Sequence, residues 1–497
     1  MNDSSNIADI IVVGAGNAAL SAAITAHETG ARVLILEAAP KELRSGNSAF
    51  TGGALRFAYN GVDDLLKLCP DMSEEELATY DFGVYDRARF FDDMARMSQY
   101  RCDPELTEKF VDESFETAQW MTSQGVKLIP SVGRQAFKID GKFRFWGGLA
   151  LRINGGGETL TANWHKRAEQ LGIEVRYECV ATELLTDGAR VGGVRVRHQG
   201  RIEDLRAGAV VLACGGFESN AEMRTRYLGP GWDLAKVRGT AFNNGAGLNM
   251  ALALGAMPYG HWSGCHAVAW DQNAPPYGDL AIGDQFQKHN VPFSVMVNAD
   301  GERFRDEGED FHSYVYARYG GELLRQPGMF GWQVFDQKVV HLLRSEYHIP
   351  RITKVKADTI EELADKLEGV NRDRFLKTIK SFNDAVQTHI AFDPNVHDGR
   401  STKGLALEKS NWANPIDTPP FEAYAVTAGI TFTFGGVKVN TAAQVETRPG
   451  ISIPGLFAAG EMVGGLYYHA YASGTGLMAG AVFGRTAGAS AAQFARA

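Results

Sequence analysis

The segment Ile10-Ile11-Val12-Val13-Gly14-Ala15-Gly16-Asn17-Ala18-Ala19 limits what this chain can fold into more than any other. Its β-branched run suits a strand buried on both faces, and the alanine-rich residues 18–29 read as a helix closed by Gly30. Between them stands a G-x-G-x-x-A fingerprint. Gly14 makes the turn, Gly16 lets a pyrophosphate approach the backbone, and Ala19 allows close helix packing. Amides at the start of that helix, those of Asn17 and Ala18 among them, face the phosphates. Val33-Leu34-Ile35-Leu36 forms a second strand. Glu37, followed by Ala38, stands at its carboxyl end, about 20 residues past the fingerprint, where an acid accepts hydrogen bonds from ribose hydroxyls. The amino terminus is therefore a Rossmann-like unit for a dinucleotide.

A chain of 497 residues holds more than one domain. Its 56 glycines are many, yet 44% hydrophobic residues exclude a disordered or collagen-like chain. A net charge of −9 leaves no basic footprint for nucleic acid or an acidic membrane surface. The five cysteines are odd in number, widely spaced and free of any C-x-x-C pair, so neither a disulfide framework nor a zinc site is expected. Cys265-His266 lacks partner ligands at metal spacing, and no metal is expected. No apolar run approaches the roughly 18 residues of a membrane span, and 10–13 is too short for a signal-peptide core. The expectation is a cytoplasmic protein without a transmembrane segment.

Farther along, helices are predicted at 74–97 and 103–123, and another at 159–171 after Gly155-Gly156-Gly157. An extended region runs from 173 to 196, and Ala209-Val210-Val211-Leu212-Ala213 is a further buried strand leading to Cys214-Gly215-Gly216. From 257 to 415 aromatics, histidines and prolines rise, with helices at 360–367 and 372–389. Glycine-rich α/β character returns at Gly435-Gly436-Val437-Lys438-Val439 and Leu456-Phe457-Ala458-Ala459-Gly460-Glu461. The pattern predicts an α/β domain formed by 1–256 and 416–497, with a second, α+β domain inserted at 257–415.

Two further groups of small and polar residues accompany the fingerprint: Gly46-Asn47-Ser48 with Thr51-Gly52-Gly53, and Ser473-Gly474-Thr475-Gly476-Leu477 at the start of a last helix. This arrangement resembles the flavoproteins of the fumarate reductase and succinate dehydrogenase class, and within it the tricarballylate dehydrogenase-like branch. The resemblance extends to Asp306-Glu307-Gly308-Glu309-Asp310-Phe311 and Trp412-Ala413-Asn414-Pro415-Ile416-Asp417-Thr418-Pro419-Pro420-Phe421. It implies a glutathione reductase-type FAD-binding domain under an inserted cap, with Val180, Ala213, Gly215, Asn244, Gly245 and Gly460 also at the cofactor. It further implies that Glu461 binds the ribityl chain and that the helix after Gly474 points its amino end at flavin N1 and O2, where reduction places negative charge. Relatives that attach flavin covalently use an early histidine; 47–53 contains none, so FAD is expected to be non-covalent. Asn243-Asn244-Gly245-Ala246-Gly247 departs from the pattern, since many relatives carry an acid between the two glycines.

The activity implied is α,β-dehydrogenation, or its reverse, which needs a base and a stabiliser of enolate charge. The fumarate reductase clamp is largely missing. Its donor arginine aligns at or beside Phe311 and His312, its carboxyl-end arginine at Tyr471, and a ligand histidine near Thr431 or Phe432, leaving His266. The acid and arginine of the proton relay are replaced around Gln287 and Asn290. Tyr471 followed by Ser473-Gly474 is similar to the tyrosine-glycine pair of 3-ketosteroid Δ1-dehydrogenases. Candidate catalytic groups are Tyr471, His312 with Tyr314 as its competitor, His266, and His469; each has a bland alternative in packing or a structural hydrogen bond. Arg303 reads as a structural ion pair. The substrate is expected to be a small carboxylic acid, tricarballylate-like, or a cyclic ketone or ketosteroid. A flavin-binding electron-transfer or regulatory protein without a substrate is the alternative from another class. With no haem c motif or iron–sulfur spacing, the electron acceptor is a separate molecule.

Overall fold

The structure, a computed structural model, describes residues 7–133, 136–145, 148–447 and 450–497. Strand β1 (Ala8–Val13) turns through Gly14 into helix α1 (Asn17–Glu28) and returns as β2 (Val33–Leu36). Helices α2 (Pro104–Ser123) and α3 (Gly156–Gln170) precede β3 (Glu174–Arg176), which lies parallel to β2. An antiparallel meander follows: β4 (Cys179–Asp187), β5 (Arg190–His198) and β6 (Arg201–Leu212). The distal half of β6 enters the first sheet parallel to β1. Ile10, Ile11 and Val12 have parallel partners on both sides and no exposure, which is why their run carries no polar alternation.

The chain then passes through α4 (Ala246–Ala253) into a second sheet made by β7 (Pro258–Asp271), β8 (Val295–Val297), β9 (Gly331–Phe335) and β10 (Lys354–Ala357). Helices α5 (Ile360–Lys366) and α6 (Arg372–Ala385) cover one side with Leu363, Phe375, Ile379 and Phe382 buried. The long strand β11 (Phe421–Val437) pairs with β7, β9 and β10. Strands β12 (Gln444–Glu446) and β13 (Ser452–Ala458) rejoin the first sheet beside β6, giving the order β12-β13-β6-β1-β2-β3. Helix α7 (Thr475–Arg496) closes the chain against α1. That contact explains part of the glycine content. A Cβ on Gly484 would stand 2.5 Å from the Ala18 carbonyl oxygen, and one on Gly488 2.2 Å from that of Ala22.

Three expectations change. The helix predicted at 74–97 is two helices, Glu74–Thr79 and Arg87–Met97. Gly83 at φ +60° turns the chain between them, and Asp86 starts the second by accepting from the Arg89 amide. The helix predicted to reach 389 stops at Ala385, because Val386 turns extended and bridges Thr402. Gly435 and Gly436, read as the return of the first domain, lie instead in β11, whose strand partners belong to the second sheet. Among the described residues, no helix is long and apolar enough to cross a membrane.

Candidate active site

A cavity of about 420 Å³ runs from the β1–α1 turn to the second sheet. At one end Gly14, at φ +108°, sits so close to β6 that a Cβ would lie 2.4 Å from the Ala213 carbonyl oxygen. Gly16, Asn17 and Ala18 line this end with Glu37 and Ala38, and the Glu37 carboxylate accepts the Ala39 amide at 2.8 Å. Burial pushes the Glu37 carboxyl above its ordinary range. Gly46, Asn47, Ser48, Thr51, Gly52 and Gly53 form one wall, and Val180, Ala213, Gly215 and Asn244 another. Gly460, Glu461, Ser473, Gly474, Gly476 and Leu477 complete it, so that the amino ends of both α1 and α7 open onto one space. Three predicted residues stand behind this lining. Ala19 is buried in the α1 packing, Gly245 donates its amide to the Gly216 carbonyl, and the Thr475 hydroxyl donates to the Ala472 carbonyl.

The other end is aromatic and basic. His266 lies against Tyr471, Tyr316 and Phe432, with ring centroids 4.7, 4.9 and 5.3 Å away. Neither of its ring nitrogens has a hydrogen-bond partner among the described residues, and burial holds its pKa well below the ordinary value, so it is a neutral imidazole. His312 stacks on Tyr316 at 4.7 Å with 15° between planes. The Arg344 guanidinium lies alongside, its Nη1 3.4 Å from Nε2 of His312. Arg238 donates to the Thr431 hydroxyl at 3.2 Å and faces Asp284 at 3.5 Å. The Tyr471 hydroxyl accepts the Gly476 amide at 3.0 Å, which fixes it over the start of α7.

A family model described as FAD binding domain matches residues 9–477. The chain belongs to this flavoprotein family. It is 30% identical to a probable fumarate reductase of Shewanella frigidimarina over 99% of this chain and 76% of that protein. It is 28% identical to a 3-oxosteroid 1-dehydrogenase of Mycobacterium tuberculosis, over 68% of this chain and 63% of the other. Among solved structures, the open conformation of a flavocytochrome c3 fumarate reductase superposes with a TM-score of 0.73 at 25% identity, covering 99% of this chain and 79% of that one. The flavoprotein is thus an FAD-dependent oxidoreductase acting on C=C or CH–CH groups, of the fumarate reductase class with ketosteroid dehydrogenase similarity. FAD fits the cavity on its own terms: a glycine cradle that a Cβ would fill, two helix amino ends, and a buried acid just past the end of β2.

Of the four residues with predicted chemistry, the fold of this flavoprotein brings His266, His312 and Tyr471 to the cavity and leaves His469 out. His469 sits at φ +60° in the preceding loop and donates its backbone amide to Nδ1 of His261, 3.1 Å away. Tyr314, the competitor of His312, turns away and donates to Asp93, while Tyr316 lines the cavity. Sequence reasoning missed Arg238, Arg344, His289 and Tyr316. Arg238 stands only five residues before Asn243-Asn244-Gly245, but Arg344 lies in a segment without a motif. Asn290, read as a replacement for part of a relay, instead orients Arg344 by accepting its amide at 3.1 Å. Gln287 donates to both oxygens of Asp284. Arg303 pairs with Glu307 at 2.6 Å, as the turn predicts.

Behind the site, the fully buried Arg56 donates from Nε to the Ser473 carbonyl at 2.8 Å and from Nη1 to the Tyr85 hydroxyl at 2.9 Å. Ser473 in turn gives its amide to the Ser313 carbonyl at 3.0 Å. These contacts tie the Tyr471 loop to the segment that carries His312 and Tyr316.

Proposed function

We propose that this flavoprotein interconverts a saturated small carboxylic acid and its α,β-unsaturated counterpart, with tricarballylate-like polycarboxylates as the substrate type. The observation that carries this reading is the pair of buried guanidiniums, Arg238 and Arg344, on the cavity wall that also holds His266, His312, Tyr316 and Tyr471. A guanidinium matches a carboxylate bidentately, and two of them suit a molecule with more than one carboxylate. Bound FAD supplies the hydride acceptor. The chain's own residues supply the rest: Arg238 and Arg344 hold carboxylates, Tyr471 and the neutral His266 stabilise charge on the enolate oxygen, and His312 or Tyr316 moves the α-proton. The hydride and proton leave adjacent carbons and the C=C bond forms between them; a separate acceptor then takes the electrons.

The inserted segment 257–415 serves as a cap over the flavin-binding parts 1–256 and 416–497, its sheet completed by β11 from the carboxyl side of that boundary. The described cysteines are all free, which suits a reducing cytoplasm. A second reading, a cyclic ketone or ketosteroid, is favoured by the aromatic wall of Tyr316, Phe432, Tyr467 and Tyr471. Anaerobic mixing with tricarballylate, succinate, cyclic keto acids and 3-ketosteroids separates the two. Bleaching of the flavin by a polycarboxylate is expected. Bleaching by the ketosteroids alone transfers the site to the second reading, and bleaching by none overturns both.

A further inference from the structure

Glu461 faces the cavity, and directly behind it lies Glu218, which has no exposure at all. The two carboxyls lie within hydrogen-bonding reach of each other. Among the described residues, the other hydrogen bonds to the pair come from neutral donors. Glu218 Oε1 accepts Asn47 Nδ2 at 2.7 Å and Asn243 Nδ2 at 2.6 Å. Glu461 Oε1 accepts the Thr433 amide at 2.6 Å and the Thr433 hydroxyl at 3.0 Å. Oε2 of Glu218 has no donor among the described residues. Arg224 is the nearby cation, but its guanidinium reaches the backbone carbonyl of Glu218 at 2.5 Å rather than the carboxylate. The remaining titratable neighbours, Cys265 beside Glu218 and Cys214 beside Glu461, have thiols that burial keeps neutral.

Two carboxyls within hydrogen-bonding reach, one of them without exposure and neither bonded to a cation among the described residues, do not both ionise. We propose that Glu218 and Glu461 share one proton while FAD is bound, and that Glu218 is a positioning residue whose loss of that proton releases the cofactor. The reach of the pair supports this. Asn47 not only donates to Glu218 but also donates to the Thr431 carbonyl at 2.6 Å and accepts the Thr240 amide at 2.8 Å, and all three residues line the cavity. A Cβ at Gly216 would lie 2.1 Å from Glu461 Oε1, so a repelled Glu461 has no room to retreat on that side and must move toward the cofactor space. Burial raises both carboxyls, which places the event on the alkaline side of their ordinary range.

The inference rests on FAD binding and is independent of the substrate. Its test is release of FAD from the holoenzyme, read as free-flavin fluorescence after dilution, between pH 6 and 10. The dissociation constant is expected to rise with pH by up to about tenfold per unit, the slope of a one-proton linkage. In Glu218→Gln the amide donates to Glu461 without titrating and its oxygen keeps both asparagine contacts, so FAD stays bound and the alkaline step disappears. Glu218→Asp is too short for the contact and is expected to lose FAD at every pH while circular dichroism reports an intact fold. A wild-type constant that is flat over this range, or a Glu218→Gln step at the wild-type midpoint, overturns the proposal. The second result would point to another group, with Glu37 at the ribose position the first to consider.

Discussion

Nη1 of Arg344 lies 3.4 Å from Nε2 of His312, joining two segments 32 residues apart at the wall of the flavin cavity. The contact puts a permanent positive charge beside an imidazole. Arg344→Met should therefore retain FAD but lower kcat/KM for the acid substrate by about 10- to 100-fold, the cost of removing a hydrogen bond to a charged group. Steady-state kinetics on yellow, FAD-loaded protein check this. An unchanged kcat/KM would take Arg344 away from the substrate.

The contrast between Gly14 and Arg344 shows what the sequence makes legible. Gly14, Gly16 and Glu37 act through the backbone and through contacts within one βαβ unit, so their spacing along the chain is their geometry. Arg344, Arg238 and Tyr316 reach the cavity by way of long-range sheet pairing and loops, and no local period records which loop faces inward. His469 fails for a related reason. It lies two residues before Tyr471, yet its φ of +60° turns it toward His261. Strand β11 was misplaced because its glycine-rich end looks like the first domain, while its partners, fixed by long-range pairing, belong to the second sheet.

Tyr471→Phe removes the hydroxyl that accepts the Gly476 amide and that faces the cavity. Loss of an electrostatic stabiliser for a developing enolate costs about 10²-fold or more in the chemical step. Flavin reduction in single-turnover mixing should slow accordingly while the bound FAD spectrum persists. Equal rates in variant and wild type would leave Tyr471 a packing residue.

Arg56→Met tests the scaffold behind the Tyr471 loop. The guanidinium is fully buried, 3.6 Å from the Asp93 carboxylate, and flanked by the rings of Tyr85 and Tyr314. Removing it leaves Asp93 with two tyrosine hydroxyls and the more exposed Arg96 at 3.3 Å, so the loss falls toward the low end of the about 3–5 kcal/mol that breaking a buried pair costs. The urea midpoint should fall markedly. Asp93→Asn in the Arg56→Met background should recover part of the loss, since the remaining group is then neutral; no recovery would mean that the charge is not what destabilises.

His165 makes stability depend on mild acid. Its Nε2 is 3.0 Å from the Ser45 hydroxyl, and burial, reinforced by Arg44 and Lys41, lowers its pKa from 6.5 to about 4. Between those values the unfolded chain binds a proton that the folded chain refuses. The stabilisation is therefore complete above pH 6.5, is lost progressively as pH falls toward 4, and changes no further below that, a total on the order of 3 kcal/mol. Carboxylates titrate in the same region, so the comparison must be with His165→Gln, which keeps a polar contact to Ser45 but does not titrate. Urea unfolding of the two holoproteins from pH 4 to pH 8 should give curves that run parallel above pH 6.5 and converge or cross below it, as the wild type loses the larger share. Curves that stay parallel throughout would show that His165 takes its proton as readily in the folded chain as in the unfolded one.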